Sequence, residues 1–343
     1  MVRRLLPDQV VAELLDIYFD VLYWLGPQYA YFKLRRKLKR PVTYSEKVRY
    51  KAVFDRDPML TVLCDRIAVR NFVEEAIGDE FLAKSYIATS DPDSIDWKTL
   101  PREYVCKANH GCGAIIMVWE GADPELRLPT DVSSLGWARL QIHPDHADPE
   151  LMTAILKYWL TLDYSWGKKR TLPEWAYKNI DRGILIEEFL HEADGAIPAD
   201  YKLYVVHGEV KLIRTITGRN ESQRHLLEHD VVWNQLSSTH YDSDWNELPV
   251  QISVNGKVVT PNDPPLSPPP AMKTLIDVAQ ALGKITDSAR VDLYAIGDRV
   301  VFGEMTIYSN AGYDYFIPDW YNYHLGAEWK QIPYKSKKFG FVK

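Results

Sequence analysis

The chain has 343 residues, 26% of them charged and 46% hydrophobic, and a formal net charge of -6. That length suits two or three lobes, and that charge provides no global basic field of the kind that gathers nucleic acid. Three cysteines, Cys64, Cys106 and Cys112, show no CxxC spacing, which argues against a disulfide framework or a zinc site and for a reducing compartment.

Neither a secretion signal nor a membrane span is expected. The N-terminus lacks a short apolar run with a small-residue cleavage site, and no run of about 20 apolar residues occurs. Residues 8–25 read as an amphipathic helix, with Asp8 at its start, Gly26-Pro27 at its stop, and Val10, Leu14, Ile17, Val21 and Leu25 on one stripe. Lys33, Arg35, Arg36, Lys37, Lys39 and Arg40 follow. With Tyr18, Phe19, Tyr23 and Trp24, this cluster fits either contact with an anionic membrane surface or a packed helix before a solvated turn. Glu13, Asp16 and Asp20 on the polar face favour the second reading, because anionic lipid repels them.

Thr43 and Glu46 have capping-box spacing and open a second helix. Residues 65–76 read as a third, closed by Gly78; its charged start, with Asp65, Arg66 and Arg70, reads as capping and surface solvation. Asp91-Pro92-Asp93 is a formal DxD. Residues 104–108 and 114–119 read as strands around the loop Asn109-His110-Gly111-Cys112-Gly113, with Lys107 just before it. Glycines let backbone N–H groups approach phosphate oxygens, and a lysine supplies charge; a plain glycine turn fits equally well. No GK[ST] follows, so this is not a Walker loop.

His143 and His146 have HxxH spacing in a polar loop without a nearby third ligand. A helix is expected over 149–163, and an apolar strand over 184–190 ends in Glu187-Glu188-Phe189-Leu190. Residues 200–206 and 210–216 make a hairpin across His207-Gly208, with Asp200, Lys202 and Tyr204 on one face and Arg214, Arg219 and Asn220 beyond. Such a row is a solvated edge or an anion site, and the recurrence of Lys and Arg beside Asp favours the site. Residues 250–270, rich in Pro, Asn and Asp, read as a loop or crossover. A helix over 272–282 ends at Gly283, and the segment after Pro318 is aromatic, then basic through Lys335, Lys337 and Lys338.

Residues 290–312 carry the strongest chemical signal. Two apolar strands flank Gly297-Asp298, and Asp292 and Glu304 interrupt their pattern. Buried acids need partners, and a divalent cation is one; an ordinary hairpin whose acids are exposed or salt-bridged fits this segment equally well. A two-residue loop would set Asp292 opposite Gly303 and turn Glu304 away; a three-residue loop pairs Asp292 with Glu304, with Thr306 one step further on that face. The three-residue loop is the expectation, with a bulge at the turn.

The order of these features resembles the ATP-grasp fold, most closely its TupA-like branch, associated with teichuronopeptide and other bacterial surface-polysaccharide pathways. The stretches that match are 43–47, 65–78, 107–113, 184–190, 200–208 and 290–312. The resemblance implies an α+β fold in which two α+β lobes clamp ATP after a mainly helical N-terminal region. The expected divisions are 1–100 (helical, pre-ATP-grasp), 101–186 (central lobe with the glycine loop) and 187–343 (C-terminal lobe with the metal hairpin).

It also implies roles. Lys107 would touch the α/β-phosphates, His110, Gly111, Cys112 and Gly113 would cover them, and Glu187, Glu188, Phe189 and Leu190 would read adenine. Asp200 and Lys202 would lie beside the nucleotide, with Lys202 facing the γ-phosphate or acyl phosphate. Asp292 and Glu304 would hold magnesium. The usual E-x-N reads Glu304-Met305-Thr306 here, so Thr306 offers only a neutral oxygen and Asn310 would supply the missing amide. Cys112 stands where serine is usual. Arg214 and Arg219 are the candidates for gripping substrate carboxylates.

The implied enzyme is an ADP-forming carboxylate-amine ligase using ATP and Mg2+. It would act on small carboxylate and amine substrates, sugar acids or amino acids in surface-polysaccharide biosynthesis, at a cytoplasmic location or the inner face of the membrane. No nucleic-acid partner is expected. A glycosyltransferase, an ATP-grasp kinase, and a non-catalytic binding module that kept the fold without the E-x-N asparagine are the alternatives.

Overall fold

The structure is a computed structural model that describes residues 38, 40–165, 174–218, 236–254 and 257–330. The expected helix over 8–25, most of the basic cluster, Arg219 with Asn220, and the lysines after 330 lie outside the described residues.

Thr43 opens α1 (Tyr44–Phe54) with a reciprocal cap: its hydroxyl accepts from Glu46 N, and the Glu46 carboxylate accepts from Thr43 N and Val42 N. α2 (Met59–Cys64) follows. α3 (Ala68–Ile77) starts on Asp65, whose Oδ1 accepts from Ile67 N and Ala68 N, and ends at Gly78.

The first sheet is built from β1 (Ser85–Thr89), β2 (Tyr104–Ala108), β3 (Ile115–Val118), β4 (Arg139–Ile142) and, after α4 (Pro149–Thr161), β5 (Ile184–Glu188). Its order is β1-β5-β2-β3-β4, antiparallel throughout except for the parallel β3/β4 pair. Alternation divides the side chains between two faces. Cys106, Ile116, Leu140, Ile142, Ile184 and Ile186 form a core with Met152, Ile155, Leu156 and Trp159 of α4. Val105, Lys107, Ile115, Met117, Arg139 and Gln141 point the other way, into a cavity.

The second half of the chain contributes β6 (Asp200–Val206), β7 (Glu209–Ile216), β8 (His240–Tyr241), β9 (Gln251–Val254), β10 (Lys257–Val258), α5 (Met272–Gly283), β11 (Ser288–Ile296), β12 (Arg299–Thr306), β13 (Tyr315–Ile317) and α6 (Trp320–Glu328). A second five-stranded sheet, order β12-β11-β6-β7-β8, is fully antiparallel. Leu275, Val278, Ala279 and Leu282 of α5 share its core with Leu203, Val205, Val291 and Leu293, and Tyr44, Val48 and Ala52 of α1 join the same core.

Residues 250–270 do hold elements, contrary to expectation. β9 pairs with β10 and with β13, Ile252 opposite Phe316. The prolines that suggested a loop begin at Pro261, after both strands, and β9's partner β13 lies far along the chain.

Candidate functional site

The β11–β12 hairpin reaches the expected outcome by a different route. Its loop is the two-residue Gly297-Asp298, with Ile296 paired to Arg299 and Gly297 at φ +57°. The irregularity lies farther along: Leu293 pairs with Phe302, yet Asp292 pairs with Glu304, so Gly303 is an extra residue on β12. A Cβ at Gly303 would lie 3.0 Å from a Tyr294 ring carbon and 3.1 Å from the Asp292 carbonyl oxygen. Glycine therefore makes room for the bulge that brings both acids to one face.

Register then extends this pair into a row. Glu304, Asp292, Lys202, Arg214 and His240 are successive cross-strand partners on β12, β11, β6, β7 and β8. Lys202 Nζ lies 2.5 Å from Asp292 Oδ2 and 3.6 Å from Asp200. Arg290 forks onto the same Asp292 carboxylate, at 2.6 and 2.7 Å, and donates to the Thr306 hydroxyl at 3.0 Å. Arg66 reaches in from between α2 and α3 to Glu304 at 3.3 Å. Burial pushes the Glu304 carboxyl up, but Arg66 foremost, then Lys202, Arg290 and Arg139, outweighs it and holds the group at about 2.

A cavity of about 330 Å3 lies between the two sheets. Its apolar wall is built around Val105, Ile115, Met117, Phe189 and Ile197, with Trp119 stacked behind Phe189 at 5.2 Å. Its charged wall carries Lys107, Arg66, Arg139, Lys202, Asp200, Asp292 and Glu304. Lys107 bonds Glu187, whose second oxygen accepts from Arg70 at 3.2 Å, and Glu188 pairs with Arg299 at 2.6 Å. A slot with one apolar and one charged end suits a ligand with a flat ring system and a polyanionic tail.

Of the expected site residues, Lys107, Glu187, Glu188, Phe189, Leu190, Asp200, Lys202, Asp292 and Glu304 line this one cavity. The others do not. His110 is buried and meets the Leu162 carbonyl at 3.2 Å and the Trp137 ring edge-on. Burial, then Arg182, lowers its pKa to about 4. Gly111 and Gly113 lie against Trp137, and Asn109 ties the loop to Asp65, Asp181 and Gly183. The loop is thus folded onto the first sheet's core. Gly111 still borders, with Arg66 and Glu304, a void of about 10 Å3. Arg214, two strands along the row, is buried and donates to Ser238 at 3.0 Å. The Asn310 amide donates to Tyr313 O, within its own turn.

Arg66, Arg70, Arg139 and Arg290 were not singled out for roles from sequence. For Arg66 the only signal was the charged start of α3. His240 also escaped notice. Neither of its buried ring nitrogens has a hydrogen bond; burial, then Arg214, lowers its pKa to about 3, and the nearby Val250 backbone opposes the shift.

The donor set fits magnesium. No cluster of three or more His, Cys, Asp or Glu suited to a metal exists among the described residues. Two opposed carboxylates are nonetheless the protein share usual for this ion, which completes its shell with phosphate oxygens and water. HxxH does not gather a site: His143 caps its own turn and faces Glu120 at 3.2 Å. Both DxD acids are engaged elsewhere, Asp91 in capping Asp93 N and Asp93 with Lys157 at 2.5 Å.

A family model described as TupA-like ATPgrasp matches residues 151–330. No curated protein matches the chain. Among solved structures the chain is similar to a D-alanine–D-alanine ligase from Bacillus anthracis, at 13% identity and TM-score 0.36, covering 73% of this chain and 59% of that one. It is also similar to the ATP-grasp ligase PsnB complexed with a precursor variant, Mg and ADP, at 10% identity and TM-score 0.37, covering 80% and 61%. An L-amino acid ligase from Bacillus licheniformis stands at 13% and 0.36, covering 82% and 53%. The chain thus spans less than two thirds of the length of each. The family match covers more than half of the sequence, and the chain belongs to the TupA-like ATP-grasp family.

Proposed function

We propose that the chain is an ATP-dependent, ADP-forming carboxylate-amine ligase acting on a sugar acid or amino acid in bacterial surface-polysaccharide biosynthesis. The observation that carries this reading is the opposition of Asp292 and Glu304 at the charged end of a cavity whose other end is apolar. Residues 187–190 and the Trp119–Phe189 stack would receive the adenine ring. Lys107 would meet the α/β-phosphates, and Lys202 the γ-phosphate. Asp292 and Glu304 would hold magnesium, which when bound neutralises phosphate charge and so lets an anionic acceptor approach.

The chemistry asks for alignment and charge neutralisation more than for a covalent catalyst. A substrate carboxylate oxygen attacks the γ-phosphorus and ADP leaves. The amine then displaces phosphate from the acyl carbon. Arg219 would grip a substrate carboxylate, with fork geometry suited to it, whereas Arg214, buried against Ser238, would brace its strand. The acyl phosphate must be shielded from water, and the loop His110–Gly113 would do this on lifting from Trp137 toward the cavity. The divisions 1–100, 101–186 and 187–343 would then act as a base and two jaws.

The test is ATP turnover with magnesium over a panel of uronic and amino acids, with product masses, for wild type and Glu304→Ala. ADP, free phosphate and a condensed product, all lost in the variant, support the ligase. A phosphorylated product makes it a kinase, and absence of nucleotide binding by calorimetry overturns the reading.

A further inference from the structure

Among the described residues, four cations line the cavity between the two sheets: Arg66, Lys107, Arg139 and Lys202. Three of them stand on carboxylates. Arg66 meets Glu304 at 3.3 Å, Lys202 meets Asp292 at 2.5 Å, and Lys107 bonds Glu187. Arg139 differs. Its partly buried side chain has neither an ion pair nor a hydrogen bond among the described residues.

The fold holds this guanidinium in place. β4 is an edge strand of the first sheet, and its Leu140 and Ile142 enter the core. Alternation therefore turns Arg139 and Gln141 into the cavity. The start of the strand is anchored to the exit of the glycine loop: the Ala138 carbonyl accepts from Ile115 N at 3.1 Å, and the Trp137 carbonyl lies against Gly113 where a Cβ would stand. Register sets Arg139 level with Lys107, because both are cross-strand partners of Ile115, one on each side. Two strand spacings, about 10 Å, separate their backbones. The charge of Arg139 also reaches the acids across the cavity. Burial pushes the Glu304 carboxyl up, and Arg66, Lys202, Arg290 and then Arg139 hold it down.

We propose that Arg139 binds the substrate carboxylate that is to be phosphorylated. The inference rests on the ligase reading above and adds to Arg219, which that reading assigns to a substrate carboxylate. The reacting carboxylate must approach a triphosphate of its own sign. That approach needs a cation committed neither to the phosphates nor to the protein's own acids. Lys107 and Lys202 serve the phosphates in the ligase reading, and Arg66 is fixed on Glu304. Arg139 is the guanidinium that remains. A partly buried guanidinium without a counter-ion is unfavourable, and a carboxylate relieves this by accepting two parallel hydrogen bonds from its fork. On the edge strand, on the side of Ile115 away from Lys107, it sets the acceptor beside the phosphates and clear of the apolar wall that takes the base.

The test is steady-state turnover of ATP with magnesium by the full chain, for wild type, Arg139→Gln and Arg139→Lys. The carboxylate probes are D-glucuronate, D-galacturonate, L-alanine and L-glutamate, and the amine is hydroxylamine, whose nitrogen displaces phosphate from an acyl phosphate to leave a hydroxamate. For each acid that wild type consumes, Arg139→Gln is expected to raise the KM by about tenfold or more, while the ATP KM and the nucleotide affinity by calorimetry change less than about threefold. Arg139→Lys keeps the charge without the fork, and is expected to fall between. An acid KM that Arg139→Gln leaves unchanged overturns the proposal. So does an ATP KM or nucleotide affinity that worsens as much as the acid KM, which makes Arg139 a phosphate ligand. Either result leaves the ligase reading standing. A wild type that forms no hydroxamate from any of these acids overturns the inference and that reading together.

Discussion

Arg66 Nη2 lies 3.3 Å from Glu304 Oε2, joining the start of α3 to the acidic hairpin of the second sheet. The same guanidinium donates to the Ala108 carbonyl at 2.6 Å and approaches that of Gly113 at 3.5 Å, the two ends of the glycine loop. Arg66→Ala removes all three contacts from one centre. We expect nucleotide affinity to fall at least tenfold by calorimetry, and stability to drop by about 1–3 kcal/mol, as for lost hydrogen bonds to charged groups. Arg66→Lys keeps the charge but not the fork, and is expected to fall between.

The pH dependence of stability should carry a Glu304 signature. Its folded pKa, about 2, is below the ordinary glutamate value of 4.5. The stabilisation from this depression is therefore fully present above that ordinary value and is lost as pH falls toward about 2. Thermal melts of wild type and Glu304→Gln should differ most at neutral pH and converge in acid. A constant gap across that window would contradict the assignment.

Gly303 should tolerate nothing larger. An alanine must push aside the Asp292 carbonyl or the Tyr294 ring, and we expect about tenfold weaker magnesium-dependent nucleotide binding with a smaller effect on folding. Deleting Gly303 would turn Glu304 to the opposite face, and magnesium dependence should disappear altogether.

Lys107 and Lys202 should separate kinetically. Lys107→Met is expected to raise the ATP KM by about tenfold or more, a loss of binding common to ground and transition states. Lys202→Met, next to Asp292, is expected to lower kcat by about a hundredfold with little change in KM, as for charge met only at the transferring phosphoryl group. Steady-state kinetics on the two variants checks this split, and equal effects on both constants would refute it.

His110 should report on folding more than on the nucleotide. Its pKa is lowered to about 4, so the neutral form belongs to the folded state, and stability falls as pH drops from about 6.5 toward 4. His110→Ala is expected to cost about 1–3 kcal/mol in denaturant melts while changing ATP affinity less than threefold. A larger affinity loss would mean the ring reaches the phosphates when the loop lifts.

Local rules revealed much of this site. Alternation placed Asp200 and Lys202 together, capping chemistry marked α1, and counting along the hairpin showed that Asp292 and Glu304 pair only if one residue is out of register. The location of that residue was not local information: the Gly297-Asp298 turn satisfies two-residue geometry by itself, so the extra residue moved to Gly303. The four arginines were opaque for a related reason. Arg66 and Arg70 look like helix-start charges until α3 is set against β5 and β12, whose acids they meet. The glycine loop's resting place depends on Trp137, which is remote in sequence.

The turn at Gly297-Asp298 offers an attachment point. A side chain built at Gly297 meets no atom within 4 Å, and residues inserted between the two would lengthen the tip without moving the pairs beneath it. Cys64 and Cys106 are buried, and Cys112 is partly so. Once Cys112 is replaced, a thiol introduced at position 298 becomes the single accessible handle for a dye. Placed on the strand pair that carries both acids, such a dye would let hairpin movement be followed in real time as nucleotide is added, without altering any residue of the cavity.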